Sequence, residues 1–270
     1  MLTIKLSTLV FLFTVSMGYG QTALEWADSA KAKIVLKEYS GAIADCGKSI
    51  KLDPTYALAW FNRGEANRYL KDYQGAIADY NRAIELDLTF SGAYCGRGES
   101  KRMLEDYKGA IADCDKAIEL DSTFARAYTC RGNCKGMLED EKGAKVDYDK
   151  AIDLDSTYAR TYALRAVIRR KYEDYLGAIA DYNKAIELDP TFVIPYVTRG
   201  QIKALLEDFI GAIEDFNKAI ELDSTLALAF ASRGLTKLRI GQKDSGCLDI
   251  SRAVELGEKG AYVHLKQLCK

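Results

Sequence analysis

Apolar and small residues recur at helical spacing in two runs within a unit of 34 residues, and this unit repeats along the chain. In Ala57–Phe90 the two runs are Ala57–Leu70 and Tyr73–Leu86, and each keeps an apolar face at a period of about 3.6 residues. The polar pair Lys71-Asp72 separates them. Each unit is therefore predicted to form a helical hairpin.

One aspartate per unit gives the period, because Asp45, Asp79, Asp113, Asp147, Asp181, Asp215 and Asp249 are evenly spaced. A fixed period between about 20 and 50 residues indicates stacked supersecondary units that contact mainly their neighbours. We predict one repeat domain over residues 21–260. Its seven repeats are Ala23–Tyr56, Ala57–Phe90, Ser91–Phe124, Ala125–Tyr158, Ala159–Phe192, Val193–Leu226 and Ala227–Gly260.

Polar residues between the runs indicate where helices begin and end. Within the second to sixth hairpins, Asp72, Asp106, Asp140, Asp174 and Asp208 are expected to accept hydrogen bonds from the N–H groups that open the second helix. Between repeats, Ser, Thr and Asp are expected to cap the next helix, and Pro54 and Pro190 to end the preceding one. Residues 261–270 continue the spacing with polar side chains, so they are predicted to form a capping helix.

The recurring residues resemble the tetratricopeptide repeat, which has an aromatic residue at position 4 and small residues at positions 8, 20 and 27. Position 4 holds Trp26, Trp60, Tyr94, Tyr128, Tyr162, Tyr196 and Phe230. Position 8 holds Ala30, Gly64, Gly98, Gly132, Ala166, Gly200 and Gly234. The resemblance implies an all-α fold, a right-handed α–α superhelix of seven helical hairpins, whose concave groove binds other proteins or peptides.

The same resemblance implies that the groove is lined by positions 2, 5, 9, 12 and 13 of the first helices. The candidate groove residues at these positions are Phe61, Glu65, Arg68, Tyr69, Glu99, Arg102, Met103, Arg126, Asn133, Arg160, Arg170, Lys171, Val197, Gln201 and Leu235. They vary between repeats while the packing positions recur, although neutral drift on a surface would explain any single one equally well. The middle repeats offer cations for acidic or polar peptide groups, and the last two are apolar enough for a hydrophobic segment.

Charge and composition argue for a protein partner. Lys and Arg number 38 against 39 Asp and Glu, and this near-balance argues against nucleic acid or an anionic membrane as the main target. Each repeat places a basic residue three positions after its second-helix aspartate, as in Asp45 and Lys48, and we interpret these pairs as a solvated face. Because His264 is the only histidine, we expect no His-rich metal cluster. Because the repeats fill nearly the whole chain after residue 20 and leave no room for a catalytic domain, we also expect no cofactor and no enzymatic activity.

Seven cysteines leave several possibilities open. Cys46 and Cys114 stand where other repeats have an aromatic residue and are read as small buried residues. Cys130 and Cys134 have a spacing that suits metal ligands, but without a nearby His no metal site is expected. Cys247 and Cys269 lie on the last second helix and the capping helix; in an exported protein they form either a disulfide or two free thiols.

Residues 1–20 depart from the repeat and are predicted to be a secretory signal peptide. Lys5 precedes the apolar run Leu6–Val15, and Gly18–Gly20 offers a cleavage site that would leave Gln21 as the first residue. The alternative, a membrane anchor, needs about 20 apolar residues. The sequence thus predicts a periplasmic or secreted scaffold that binds a protein or peptide. A structural spacer that self-associates through its end faces or apolar C-terminal groove is the alternative.

Overall fold

The computed structural model describes residues 21–269, so the predicted signal peptide lies outside the described residues. Within this part, every regular element is an α-helix. The helices are α1 (Ala23–Val35), α2 (Tyr39–Leu52), α3 (Ala57–Tyr69), α4 (Tyr73–Leu86), α5 (Ser91–Met103), α6 (Tyr107–Leu120), α7 (Ala125–Met137), α8 (Glu141–Leu154), α9 (Ala159–Lys171), α10 (Tyr175–Leu188), α11 (Val193–Leu205), α12 (Phe209–Leu222), α13 (Ala227–Arg239), α14 (Lys243–Glu255) and α15 (Lys259–Leu268).

Successive helices pair into hairpins, and the hairpins fall into two compact units. The N-terminal unit contains α1–α6 and ends at Leu120, and the C-terminal unit begins at Asp121 and contains α7–α15. Each odd-numbered helix from α1 to α13 begins at the first residue of a predicted repeat. The predicted all-α fold of tandem helical hairpins is confirmed.

Close contact between the two helices of a hairpin depends on the small residue at position 8. A Cβ atom added to Gly64 would lie 2.9 Å from the ring of Tyr80, which is fully buried on the second helix. A Cβ atom added to Gly200 would likewise lie 2.8 Å from the ring of Phe216. Burial of one such ring contributes about 2–3 kcal/mol. Glycine at these two positions therefore allows the close approach of an aromatic ring, and Ala166 takes this place beside Tyr182 in the fifth hairpin.

The turn inside the second to sixth hairpins is closed by the predicted aspartate cap, whereas Glu38 and Gln242 at the same position of the first and seventh make no cap hydrogen bond. Asp72 Oδ1 accepts a hydrogen bond from the Gly75 N–H at 2.9 Å, and Lys71 before it adopts a left-handed backbone with φ of 66°. A Cβ atom at Gly75 would lie 2.3 Å from Asp72 Oδ2, which explains the glycine. The same cap forms at Asp106, Asp140, Asp174 and Asp208. The prediction for this turn is confirmed.

Between repeats, the expected polar cap of the next helix is wrong, whereas α2 and α10 end at Leu52 and Leu188, just before Pro54 and Pro190, as expected. Asp53 Oδ1 accepts hydrogen bonds from the N–H and hydroxyl of Thr55, at 2.9 and 2.6 Å, so both polar side chains stabilise the turn itself. The residue that caps α3 is Tyr56, which makes no side-chain cap hydrogen bond. The Thr55 hydrogen bonds lower the pKa of Asp53. An Asx turn therefore replaces the expected polar helix cap.

The C-terminal helix packs on the last hairpin. Ala261 of α15 is buried with Ile250 and Ala253 of α14. Cys247 and Cys269 form a disulfide, with their Cα atoms 5.6 Å apart. The helix begins at Lys259, two residues before the predicted capping helix. Over residues 21–269, no helix combines the length and apolar character needed to cross a bilayer.

Candidate partner-binding surface

The second-helix aspartates are buried, and this corrects their interpretation as a solvated face. Asp79 is 4% exposed and accepts hydrogen bonds from Nε and Nη2 of Arg63, at 2.9 and 2.5 Å. The corresponding aspartates of the other repeats are also buried. Because a buried carboxylate is costly unless it is paired, the bidentate contact with Arg63 and a hydrogen bond from Asn67 at 3.0 Å offset the burial of Asp79. Asp45, in the first repeat, is paired with Lys33 and Ser29 instead.

The same arginines also bond to the preceding repeat. Arg199 donates from Nη1 to Asn183 at 2.6 Å, and Arg165 donates from Nη1 to Asp149 at 2.8 Å. Burial lowers the pKa of Arg165, but its hydrogen bonds to Asp181 and Asp149 outweigh burial, so that pKa is raised. Sequence reasoning missed these arginines, although their recurrence every 34 residues was a usable signal.

The basic residues three positions after the aspartates have other partners. Lys116, Lys184 and Lys218 pair with Glu119, Glu187 and Glu221 on the exposed side of the second helices. In the first repeat, Lys48 does contact Asp45, at 3.3 Å. The Arg–Asp pairs thus lie inside the hairpins, and the Lys–Glu pairs lie on the exposed side of the second helices. The candidate groove residues all lie on the first helices.

In the N-terminal unit, several candidate groove residues form one buried polar network. Glu65, 7% exposed, accepts a hydrogen bond from the hydroxyl of Tyr80 at 2.5 Å and another from Arg68 Nη2 at 2.8 Å. Arg68 Nη1 lies 3.3 Å from Glu99 Oε2, which joins α3 to α5. Phe61 is half-buried, 4.7 Å from Phe90 between ring centroids. The network fixes Glu65 internally, so Glu65 is not an open contact residue.

The remaining N-terminal candidates are more accessible. Tyr69 is 46% exposed and stacks on Tyr39 at 4.9 Å between ring centroids, with the Arg68 guanidinium 4.4 Å from its ring. Met103 is 44% exposed and its sulfur accepts a hydrogen bond from Arg102 Nη2 at 3.2 Å. The Arg102 Nε is buried and has no hydrogen-bond partner within residues 21–269. Tyr69 and Met103 are the N-terminal candidates that a partner can reach.

In the C-terminal unit, polar candidates link neighbouring first helices. Arg170 Nη1 donates to Gln201 Oε1, and Gln201 Nε2 donates to the Ser232 hydroxyl, both at 3.3 Å. This chain of contacts crosses α9, α11 and α13. Lys171 pairs with Glu141 at the start of α8. These groups hold adjacent hairpins in register and leave parts of Arg170 and Lys171 exposed.

Two further candidates take part in contacts within the C-terminal unit. Asn133 Oδ1 accepts a hydrogen bond from the Tyr148 hydroxyl at 2.9 Å. Arg126 is half-buried on the first turn of α7. The amide of Asn133 is thus partly committed to its own hairpin.

An open cleft lies beside Arg160, between the first helices α9 and α11. Its volume is about 730 Å³. Arg160 is exposed at the rim, and Ala163, Val167 and Ile194 are among the residues that form the cleft. The other lining residues are Thr157, Tyr158, Ala159, Leu164, Leu188, Asp189 and Phe192. The walls are mainly apolar, and Arg160 supplies a positive charge that makes no ion pair within the described chain.

Sequence reasoning missed the residues that the repeat junction brings to this cleft. Tyr158 and Phe192 occupy the last position of their repeats, where Tyr56, Phe90 and Phe124 recur. The sequence pattern predicts only a turn at this junction. An aromatic residue at the same position of successive repeats was the available signal.

Val197 is a correction to the predicted groove. It is 2% exposed and packs with Tyr196 and Phe216 in the core of the sixth hairpin. Position 5 is a packing position, because Cys95, Thr129, Ala163, Val197 and Ala231 are all buried. The hydroxyls of Thr129 on α7 and Thr161 on α9 are 3.1 Å apart, so the next first helix covers this position.

Leu235 belongs to a second, smaller cleft. It is half-buried and, with Gln201 and Arg239, lines a space of about 300 Å³ between α11 and α13. The two clefts are therefore formed by different pairs of first helices in the C-terminal unit.

The cysteines outside the disulfide are buried: Cys46, Cys95, Cys114, Cys130 and Cys134. Burial raises the pKa of the Cys46 thiol to about 12, which disfavours its reactive thiolate. Within residues 21–269, no cluster of three or more His, Cys, Asp or Glu side chains has the arrangement of a metal site.

Comparison with protein families and solved structures agrees with this architecture. Residues 57–90 match one model of the tetratricopeptide repeat, and residues 91–124, 159–192 and 195–226 match another. The chain therefore contains tetratricopeptide repeats, a class of repeat that typically forms protein-interaction scaffolds. No curated protein matches the chain.

Three solved structures illustrate the shared fold. YrrB, described as a tetratricopeptide repeat protein with an unusual peptide-binding site, is 24% identical with a TM-score of 0.61, covering 70% of this chain and 98% of YrrB. A tetratricopeptide repeat protein from Parabacteroides merdae is 19% identical with a TM-score of 0.60, covering 93% and 100% of the two chains. A chain of the Cut9–Hcn1 assembly is 14% identical with a TM-score of 0.73, and the match covers 92% of the present chain and 53% of the other. At these identities the likeness confirms the fold class.

Proposed function

We propose that this protein is an exported, non-enzymatic scaffold that binds another protein or peptide on its first helices, chiefly in the cleft beside Arg160. The cleft carries the proposal because it combines a volume of about 730 Å³ with apolar walls and an exposed cation at the rim. Sites that hold ligands are typically of this size and composition. The cleft suits an apolar side chain of the partner that has a carboxylate close by.

The comparisons support protein binding as the general activity. Tetratricopeptide repeats commonly serve as interaction scaffolds, and the description of YrrB names a peptide-binding site. In the present chain, Arg170, Gln201 and the smaller cleft extend the surface beyond Arg160 along α9, α11 and α13. We infer a partner segment long enough to contact more than one hairpin.

Export is the second part of the proposal. The composition of residues 1–20 is that of a signal peptide, and the Cys247–Cys269 disulfide would persist in an oxidising compartment such as a periplasm or the extracellular medium. The mature chain would begin at Gln21. Mass measurement of the protein isolated from its native host tests this, and a chain that retains Met1 would contradict it.

Binding at the cleft is tested with charge-introducing variants. A partner identified by crosslinking in the native host would be purified, and its affinity measured for Arg160→Glu, Val167→Asp and Ala180→Asp. Ala180 is exposed on the second helix α10, so it is a matched surface control for Val167. We expect Arg160→Glu and Val167→Asp to bind the partner at least tenfold more weakly than the unchanged protein, and Ala180→Asp to bind it with unchanged affinity. Equal affinity of all three variants would place the partner elsewhere.

Self-association is a second candidate function, and the outward face of α15 favours it. Tyr262, Val263 and Leu268 are 48%, 51% and 44% exposed at this end of the C-terminal unit. Light scattering over a range of concentrations separates the two functions. A mass that stays at one chain supports the scaffold, and a mass that rises with concentration supports the self-assembling spacer.

A further inference from the structure

The turns of three successive hairpins in the C-terminal unit carry exposed large apolar side chains. Met137 and Leu138 are 60% and 43% exposed, Tyr172 is 54% exposed, and Leu205 and Leu206 are 60% and 44% exposed. A single exposed apolar residue needs no explanation, but these recur at the same place in successive hairpins. We call residues 137–142, 171–174 and 205–208 the hairpin-tip edge.

The three tips are held next to each other by contacts already described. Lys171 at the end of α9 pairs with Glu141 at the start of α8, which joins the first tip to the second. Arg170, one residue earlier, donates to Gln201 of α11, which joins the second hairpin to the third. At the third tip, Leu205 and Glu207 line the cleft of about 300 Å³. The apolar side chains therefore lie along one edge of stacked hairpins.

Acidic side chains flank this apolar row. Glu139, Glu173 and Glu207 are exposed, and their carboxylates make no hydrogen bond or ion pair with any described residue. Each is followed by the aspartate that caps the second helix. The basic groups of the edge are Lys142 and Lys171, and Lys171 is already paired with Glu141. The edge is thus apolar with an acidic border.

The backbone does not explain why glutamate occupies these turns. Glu139, Glu173 and Glu207 adopt left-handed conformations, with φ of 65°, 59° and 66°. That region disfavours residues with a Cβ atom, and glycine occupies the equivalent turn at Gly241. Lysine adopts the same conformation at Lys37 and Lys71 in the N-terminal unit. The turn therefore forms with an acidic, a basic or an uncharged residue at this position, so a charge substitution there should keep the backbone conformation.

We propose that the hairpin-tip edge is a second docking surface, separate from the cleft beside Arg160 although Leu205 and Glu207 also line the smaller cleft, and that it binds a basic amphipathic segment of a partner protein. The apolar face of such a segment would cover Met137, Tyr172 and Leu206, and its Lys or Arg side chains would pair with the bordering glutamates. The acidic border opposes attachment to an anionic lipid surface. The acidic border thus favours a positively charged partner segment, and the apolar row contributes the contact area.

The experiment uses the full chain and a synthetic helical peptide of Leu and Lys, with a second peptide in which every Lys is Glu. Fluorescence anisotropy measures both affinities at low salt. We expect the Lys peptide to bind, and the double variant E173K/E207K to bind it at least tenfold more weakly. The control E187K/E221K makes the same net charge change at exposed glutamates of the second helices and should keep the affinity. Val167→Ser, in the cleft beside Arg160, should also keep it.

Each other result overturns the proposal. Equal binding of the Lys and Glu peptides would remove the role of charge, and equal loss in both double variants would show unspecific attraction. Unchanged binding to E173K/E207K would place the peptide elsewhere, and loss in Val167→Ser would place it in the cleft. Binding to phosphatidylglycerol vesicles in preference to the peptide would make the edge a lipid surface. Circular dichroism confirms that each variant is folded.

Discussion

Arg165 donates two parallel hydrogen bonds to Asp181, from Nε at 2.9 Å and from Nη2 at 2.6 Å. Its third nitrogen, Nη1, donates to Asp149 of the preceding hairpin at 2.8 Å. One guanidinium therefore closes its own hairpin and joins it to its neighbour. The Arg165 side chain is 14% exposed and that of Asp181 4% exposed, so the pair is largely removed from solvent.

Replacing Arg165 by Ala should destabilise the C-terminal unit by about 2–3 kcal/mol, because the buried carboxylate of Asp181 loses two hydrogen bonds and keeps only Arg169 Nη1, at 3.0 Å, as a cationic partner. Urea unfolding followed by circular dichroism measures this as a lower midpoint. Lys184→Ala removes an exposed pair with Glu187 on the same helix as Asp181 and should leave the midpoint unchanged. Equal midpoints for the two variants would show that the buried pair is not a principal contact.

Two tyrosines at the same repeat position should respond oppositely to loss of the hydroxyl. The Tyr148 hydroxyl donates to Asn133, whereas the buried Tyr182 hydroxyl has Val167 in place of that acceptor and makes no hydrogen bond to a described residue. Burial raises the pKa of Tyr182, and the nearby Thr198 hydroxyl offsets this only in part.

We therefore expect Tyr148→Phe to cost about 1 kcal/mol and Tyr182→Phe to be neutral or stabilising. Thermal unfolding of both variants beside the unchanged protein gives the comparison. If Tyr182→Phe lowered the melting temperature as much as Tyr148→Phe does, the Tyr182 hydroxyl of the unchanged protein would have a hydrogen-bond partner in solution.

The glycine after each aspartate cap should not tolerate a side chain. A Cβ atom at Gly177 would lie 2.2 Å from Asp174 Oδ2, so Gly177→Ala should displace the cap and cost about 1 kcal/mol. Gly47, inside α2, has no atom within 4 Å of an added Cβ, and Gly47→Ala should stabilise by about 0.5–1 kcal/mol. Denaturant midpoints measure both changes. Stabilisation by Gly177→Ala would contradict the steric argument.

Acid stability should depend on the threonine of the junction turn. The hydroxyl and N–H of Thr157 lower the pKa of Asp155 below its ordinary value of 3.8. The folded pKa is below the unfolded one, so the contribution to stability is complete above about pH 4 and is lost as the pH falls through the folded pKa.

Thr157→Val removes the hydroxyl donor and should raise the pKa of Asp155 toward 3.8 while the N–H bond keeps part of the shift. NMR titration of the side-chain carboxyl carbon measures that pKa. Ser156→Ala, in the same turn, is the control and should leave it unchanged. An unaltered Asp155 pKa in Thr157→Val would show that the hydroxyl does not act on this carboxylate.

The sequence predicted the hairpins because their packing is local and periodic. Position 8 holds Gly or Ala in every repeat, from Ala30 to Gly234, so spacing alone predicted where the two helices of a hairpin approach each other closely. Spacing along one helix pairs Asp79 with Arg82, three residues later, whereas its partner in the structure is Arg63, 16 residues upstream on the other helix. Which face of a helix is buried depends on the helix packed against it, and single-helix spacing does not contain that information.

The candidate surface was predicted less well than the fold. Arg160 and Arg170 are exposed as expected, but Val197 is buried because the adjacent helices cover position 5. Tyr158 and Phe192 reach the cleft from junctions that look like turns in the sequence. Recurrence identifies packing residues, whereas accessibility arises only when neighbouring repeats are stacked.

Site-specific photocrosslinking in the native host tests the central claim most directly. A photoreactive amino acid would replace Val167 in the cleft and, in a second protein, Ala180 on the exposed face of α10. The account predicts that position 167 gives a discrete crosslinked protein partner, absent without irradiation, and that position 180 does not. The same adduct from both positions, or from position 180 alone, would contradict binding at the first-helix cleft.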